Sequence, residues 1–496
     1  MKDHKGVWVA ATDKSTVFRA LCSILERCKG SAVRLHSTAV SPLPRDDNIV
    51  TMPEKIDQRL DGKVTRIFPV HSFSECSPCQ DILEKWAVQV DKGGPEVTAL
   101  IEAAEAIRTS DIPVAFPTET VYGLGADATR SGAVQGIYKA KQRPSDNPLI
   151  VHVSSRDQLE RLLMDPKQSN GAIKCRSTSS IPKIYEPLIK RFWPGPLSII
   201  LPNPSHLPLA PEVTANLPTF AARMPSSPLA RLLIALADRP VAAPSANAST
   251  KPSPTTAQHV FTDLQGRIEM ILDGGPCGVG VESTVVDGLS SPPAILRPGG
   301  VGIDELRTCP GWEDVKIGYK DGALQGKTAP RAPGMKYKHY SPKARVVLYE
   351  PGQDPNSVMN RIIADINKQP EWANGSAAIG VVRTKTWKKG LGVSQVSLSN
   401  GESCEATTSA IGSILDIPVE CDSINAPSHR INMLDIYLGQ NTSSIARGLF
   451  SALRSLDERN VPVIYVEGIS DTEGDLAAAV MNRLRKAAEE EVKVSH

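Results

Sequence analysis

The chain has 496 residues, 41% hydrophobic and 22% charged, with 56 Lys and Arg against 54 Asp and Glu. This is ordinary globular composition, long enough for two or three domains of about 100–200 residues each. The formal charge of +2 argues against a dedicated nucleic-acid binder, which carries a strongly basic face, and stable nucleic-acid binding is not expected.

In chain order, residues 1–95 read as an N-terminal extension whose structure the pattern leaves open, with VWVAAT and RIFPV as short strands. From about residue 97 the pattern sharpens. VTALIEAAEAIRTSD has helical spacing, IPVAFPT reads as a strand, and the glycine-rich turn YGLGADAT follows. A helix at AVQGIYKAKQ, a strand at PLIVHVSS and a helix at RDQLERLLM come next, then an irregular polar stretch at 165–183 that reads as an inserted surface loop. The helix PLIKRFW, the strand PLSIILP, the helix LARLLIALADR and the strand PVAAPSA lead to EMILDGG, STVVDG and AILRPG. Strands and helices mix without a strict βαβ repeat, so the fold expected over 96–307 is α/β of an α+β-like kind, a twisted mixed sheet with surrounding helices.

Residues 308–343, rich in Gly, Pro and Lys, read as a linker. Beyond it ARVVLYE, AAIGVVRT, MLDIYLG and PVIYVEG alternate at the end with two amphipathic helices, SSIARGLFSALRSLDER and DLAAAVMNRLRKAAEE. This predicts a second, small Rossmann-like parallel α/β domain over 344–490. It lacks GxGxxG after a strand, so dinucleotide binding has no support there.

The nine cysteines are odd in number and scattered, as expected of a reducing compartment. Cys76 and Cys79 have CxxC spacing beside His71, but no second pair completes a zinc site, so they read as reduced thiols. There is no run of about 18 apolar residues, so no membrane span is expected. Asp3, Asp13 and Glu26 interrupt any leader-like N-terminus. A cytoplasmic location is expected, and a mitochondrial or nuclear pool is compatible with the same features.

The candidate chemistry lies in loops at strand ends. In FPTETVYGLG, Thr118, Glu119 and Thr120 offer short donors and acceptors, while Gly123 and Gly125 admit a ligand close to the backbone. KAKQRPSDNPLIVHV sets Lys141 and Arg143 two residues apart at a helix end, with Asn147 beside them, which suits a polyphosphate. Taken alone, a KxR pair is a solvated helix face, and His152 in its apolar strand is a core histidine. APSANASTKPS supplies Ser245, Asn247 and Ser253; VESTVVD supplies Glu282, Ser283 and Thr284; LRPG supplies Arg297, and FAARMP supplies Arg223. Several loops combining cations with small hydroxyls are what an anionic, loop-lined pocket requires. No GxxxxGK[ST], kinase set or GxSxG is present, so nucleotide chemistry would use a site other than a P-loop. The residues themselves lead as far as a phosphate- or nucleotide-binding α/β enzyme.

PTETVYGLG, KAKQRPSDNPLIVHV, RFWPGPLSIIL, ARMP, APSANAS, VESTVVD and LRPG, in this order over about 97–307, resemble the threonylcarbamoyl-AMP synthase family with its YrdC-like domain. PGMKYKHYSP and the terminal α/β region resemble the two-domain form. The resemblance implies condensation of L-threonine, bicarbonate and ATP to threonylcarbamoyl-adenylate and pyrophosphate. The product would feed a downstream tRNA threonylcarbamoyl transferase machinery that modifies the adenosine next to the anticodon. It implies Lys141 and Arg143 as catalytic cations, and Thr120, His152, Arg223 and Ser283 on threonine. It implies Arg143, Asn147, Thr219, Ser245, Asn247, Ser253, Arg297 and Tyr340 on ATP, with Mg2+ carried on the triphosphate although no carboxylate cluster marks its ligands. Ala243 stands where many relatives have a hydroxyl residue. The aromatic content of PGMKYKHYSP implies ordered contacts, with Tyr337 and Tyr340 closing over the nucleotide pocket or docking the two domains. The pocket cations are expected to be solvated and to contribute little to core packing.

Overall fold

A computed structural model describes residues 64–74, 82–145, 147–165, 180–319, 339–369, 378–392, 407–409, 412–423 and 426–493. VWVAAT, the Cys76–Cys79 pair, most of the 165–183 stretch and Tyr337 lie outside the described residues.

The first sheet is built from β1 (Arg66–Pro69), β2 (Val114–Phe116), β3 (Gly123–Asp127), β4 (Ile150–His152), β5 (Leu197–Pro202), β6 (Thr219–Arg223), β7 (Val241–Ala242), β8 (Met270–Asp273), β9 (Thr284–Asp287), β10 (Ala294–Arg297) and β11 (Lys316–Ile317). Their order is β1-β8-β2-β3-β7-β4-β6-β5-β9-β10-β11. Pairing is mixed: β4 runs parallel to β6, while β5 and β6, like β2 and β3, are antiparallel. This is the twisted mixed sheet that the alternation of elements predicts. β1 pairs with β8 in parallel register, so the sheet begins inside the segment read as an extension.

The central strands are short and apolar on both faces because both are covered. Leu149, Val151 and Val153 pack into one core with Ala133, Val134 and Ile137 from helix α1 (Ser131–Lys141). Phe116 and Val241 face a second core with Leu229 and Leu233 from helix α2 (Pro228–Ala237). Helix α1 ends at Gln142, which takes a left-handed conformation with φ 51° and turns Arg143 back toward the sheet. Gly136 is forced by packing: a Cβ there would lie 1.9 Å from the Asp111 carbonyl oxygen.

The second sheet has the order β14-β15-β16-β13-β17-β12-β18, from β12 (Arg345–Tyr349), β13 (Ala378–Arg383), β14 (Thr407–Ser409), β15 (Gly412–Ser423), β16 (Ala426–Tyr437), β17 (Val463–Glu467) and β18 (Glu490–Val492). Its pairs from β16 to β18 are parallel, as a Rossmann-like half requires. Beyond β16 the sheet continues antiparallel through β15 and β14, an extension the hydrophobic runs did not signal. Helices α3 (Thr442–Glu458) and α4 (Asp475–Ala487) pack against it, with Phe450, Leu453, Val480 and Leu484 buried. Their core also takes in Val121 and Val281 of the first sheet region and Tyr340, so the two sheet units share apolar contacts.

Candidate active site

At the strand ends lies a cleft that is partly open to solvent. Thr120, Lys141, Arg143, His152, Arg223, Ser245, Asn247, Ser253, Ser283, Arg297 and Tyr340 all line it. Residues spread over two hundred positions of sequence thus meet in one place.

Lys141 projects from the last turn of α1 and is 2% exposed. Its Nζ donates to the carbonyls of Ser245 and of Asn247, the latter at 2.6 Å. Burial and then the neighbouring Arg143 push its ammonium well below the ordinary lysine value. Ser245 Oγ donates to Asn247 Oδ1 at 2.5 Å, and Asn247 Nδ2 donates to the carbonyls of Ala248 and Lys251, both at 2.9 Å. The lysine and the 245–251 loop therefore form one hydrogen-bonded unit.

On the opposite side, His152 and Arg223 sit directly across from each other at the ends of β4 and β6. Burial, and then Arg223, push the His152 imidazole down to about 3, so it is neutral at physiological pH. Arg223 is 4% exposed and donates to Thr120 Oγ1 at 3.0 Å, to the Gly195 carbonyl at 3.2 Å and to Glu119. Thr118 Oγ1 lies 2.8 Å from Thr120 Oγ1 and donates to the Val121 carbonyl, which fixes the turn. Arg297 donates to Ser283 Oγ and to the Ser283 carbonyl, each at 3.0 Å, and Ser283 Oγ lies 2.9 Å from Ser198 Oγ. Burial brings the Arg297 guanidinium down to about 10.

Two sequence candidates are not among the residues that line this cleft. Asn147 is buried below α1, its carbonyl accepting from Tyr138 Oη at 2.8 Å, and it does not line the cleft. Thr219 opens β6 opposite Pro202, four residues and about 13 Å of strand from Arg223. The expectation of solvated cations is corrected as well: Lys141, Arg223 and Arg297 are all at most 6% exposed. Lys141 donates to carbonyls, Arg297 to a carbonyl and a hydroxyl, and Arg223 to a carbonyl, a hydroxyl and the Glu119 carboxylate, so protein groups hold these cations.

Sequence reasoning named Glu282 among the loop residues of VESTVVD without giving it a ligand role, and left His339 out of the site. Glu282 lines the cleft, accepts from Ser253 Oγ and pairs with Arg483 Nε at 3.0 Å. Burial alone would raise its carboxyl, but Arg483 and then Arg297 hold it below the ordinary range. Glu282 was visible within VESTVVD; its partner, two hundred positions away on α4, was not. His339 also lines the cleft and is pushed down to about 4 by burial and by Arg143. Tyr340 is stacked on Phe450 with ring centroids 5.2 Å apart, and Arg483 lies over its other side at 5.9 Å. Among the described residues no group of three or more His, Cys, Asp and Glu could hold a metal ion.

A mixed sheet whose strand-end loops enclose cations and hydroxyls, joined to a Rossmann-like unit, defines a two-domain YrdC-like α/β protein with a cation-lined cleft. Comparison with known proteins agrees. A profile of the Sua5–YciO–YrdC family, described as telomere recombination, matches residues 106–299, and one described as threonylcarbamoyl-AMP synthase, C-terminal domain, matches 301–489. The chain is 46% identical over 404 residues to the threonylcarbamoyl-AMP synthase of Schizosaccharomyces pombe, spanning 79% of this chain and 88% of the relative. It is 39% identical over 408 residues to that of Pyrococcus abyssi, spanning 82% and 95%. A crystal structure of P. abyssi Sua5 complexed with L-threonine superposes with a TM-score of 0.60 at 39% identity, covering 80% of this chain and 96% of that one. The chain belongs to the threonylcarbamoyl-AMP synthase family.

Proposed function

We propose that this protein is a threonylcarbamoyl-AMP synthase that joins L-threonine, bicarbonate and ATP within the cleft described above. The observation that carries the reading is the enclosure of Lys141, Arg143, Arg223 and Arg297 in one cleft whose lining carboxylate is Glu282. Such a site attracts polyanions and neutralises charge that develops during transfer. The L-threonine complex of P. abyssi Sua5 supports threonine as a substrate.

The threonine amine combines with bicarbonate to give a carbamate and water. A carbamate oxygen then attacks the α-phosphorus of ATP, forming the adenylate as the bond to pyrophosphate breaks. This step needs alignment and charge neutralisation more than a protein nucleophile. Lys141 and Arg143 stand beside the transferred adenylyl group's phosphate and the carbamate. Arg223, with three donors already engaged, offers its remaining N–H groups to the threonine carboxylate, and a bidentate fork suits that partner. Thr120, Ser283 and the neutral His152 complete the threonine side; Ser245, Asn247, Ser253, Arg297 and Tyr340 face the nucleotide. Asn147 and Thr219, though outside the cleft lining, are proposed on the nucleotide as well. Mg2+ is proposed to arrive on the triphosphate; among the described residues no group of three or more His, Cys, Asp and Glu could hold a metal ion. The labile product passes to a tRNA threonylcarbamoyl transferase. No helix among the described residues is long and apolar enough to cross a membrane, which is compatible with the cytoplasmic setting we read for the enzyme.

The test is pyrophosphate release from ATP by purified protein with each substrate withheld in turn. Release that needs both threonine and bicarbonate is expected; equal release without threonine would sink the assignment.

A further inference from the structure

The wall that carries Ser253 belongs to the first sheet unit, yet many of its anchors come from the second. Helix α3 inserts Arg454, 4% exposed, whose Nη2 donates to the Pro252 carbonyl. The same guanidinium donates to Asp263 Oδ1 at 3.2 Å and Oδ2 at 2.7 Å. Asp263 in turn accepts from the Ala248 amide at 3.2 Å and from Lys251 Nζ at 2.9 Å. One turn earlier on α3, Ser451 Oγ lies 2.9 Å from Thr255 Oγ1. Helix α4 inserts Arg483, fully buried, which pairs with Glu282 and donates to the Pro298 carbonyl; Glu282 then accepts from Ser253 Oγ. The Ser341 amide donates to the Thr250 carbonyl at 2.9 Å. Thr250 holds a φ of 73°, a left-handed conformation that a β-branched residue keeps only where its surroundings over-determine it.

We propose that Arg454 and Arg483 are positioning residues for the synthase reaction, fixing Ser253 against the nucleotide from both sides. Arg454 sets the backbone before it, and Arg483 sets its hydroxyl through Glu282. Neither arginine is among the residues that line the cleft, so each acts through the loop. The C-terminal unit thereby forms the outer support of the nucleotide wall. This inference rests on the reading that Ser253 faces the nucleotide.

A merely structural arginine would alter stability and leave KM alone, because KM does not depend on the fraction of chains that are folded. The experiment measures initial rates of pyrophosphate release with the full chain, varying ATP at saturating threonine and the reverse. The variants are Ser253→Ala, Arg454→Met, Arg454→Lys, Arg483→Met, Arg454→Met combined with Asp263→Asn, and Arg483→Met combined with Ser253→Ala. Arg454→Met and Arg483→Met are each expected to raise the ATP KM at least fivefold while the threonine KM moves less than twofold. Arg454→Lys restores part of the ATP affinity, since a lysine still reaches Asp263. Adding Ser253→Ala to Arg483→Met raises the ATP KM less than twofold beyond the larger single effect, as for groups acting in one chain of contacts. The combined Asp263→Asn variant leaves no uncompensated buried charge, so it folds and shows the same rise. Both arginine variants with ATP KM within twofold of wild type would overturn the inference. Wild-type ATP KM in Ser253→Ala would instead overturn the nucleotide-side reading beneath it.

Discussion

Replacing Lys141 by Met keeps most of the aliphatic stem and removes the ammonium. In the structure that ammonium is spent on the carbonyls of Ser245 and Asn247 while facing the cleft. Two losses follow. The proposed reaction loses a cation beside the phosphate of the transferred adenylyl group, and a single such partner contributes about ten- to a thousand-fold in turnover, or ~1.4–4 kcal/mol. The loop loses the donor for two carbonyls, and a buried acceptor left without its partner costs about 1–3 kcal/mol. The cleft is partly open, so water replaces some of that bond and the stability loss falls at the lower end. Turnover by pyrophosphate release, read beside a thermal melt, separates the two effects: a drop of at least tenfold in kcat with a folded protein is expected. A folded Lys141→Met variant with wild-type turnover would refute the role given to this residue.

Arg297→Ala should lower turnover by a similar roughly ten- to a thousand-fold and, unlike a solvated cation, should also destabilise the fold by about 1–3 kcal/mol, because its bonds to Ser283 are buried; unchanged kinetics would remove it from the site. Tyr340→Phe keeps the ring stacked on Phe450 and should leave the melting temperature nearly unchanged, whereas Tyr340→Ala should cost about 3–5 kcal/mol. If Tyr340→Phe and wild type share one ATP KM, the residue docks the two units and does not close the nucleotide pocket. His152 and His259, pushed to about 3, and His339, pushed to about 4, all chiefly by burial, stay neutral in the fold while the unfolded chain takes up protons near 6.5. Stability is therefore present above about pH 6.5 and lost as pH falls below it, at up to ~1.4 kcal/mol per unit for each histidine. Urea midpoints at pH 7.5 and 5.5 check this, and equal midpoints would contradict it.

Most of the cleft was legible because its residues cluster in short segments at strand ends, where glycines, prolines and hydroxyls mark the backbone turns. Lys141, Arg223 and Ser283 could be placed on one site through the ordered motifs, and the structure brings them to the same cleft. Thr219 and Arg223 share a strand whose two ends lie about 13 Å apart, which separates the nucleotide-side candidate from the threonine-side one. The burial of the cations was not legible, since a charged side chain in a loop looks solvated until both walls are known. Glu119 pairing with Arg223, and Glu282 with Arg483, were invisible for a related reason: such partners are set by tertiary packing across 104 and 201 positions. In the same way β1 gave only a weak four-residue run, and its strand identity comes from pairing with β8.

The most direct measurement supplies 13C-bicarbonate with threonine and ATP to the purified chain and weighs the nucleotide product. The account predicts a threonine–adenylate conjugate carrying the label, formed together with pyrophosphate and lost in Lys141→Met. AMP and pyrophosphate without a labelled conjugate, or a conjugate lacking the label, would contradict it.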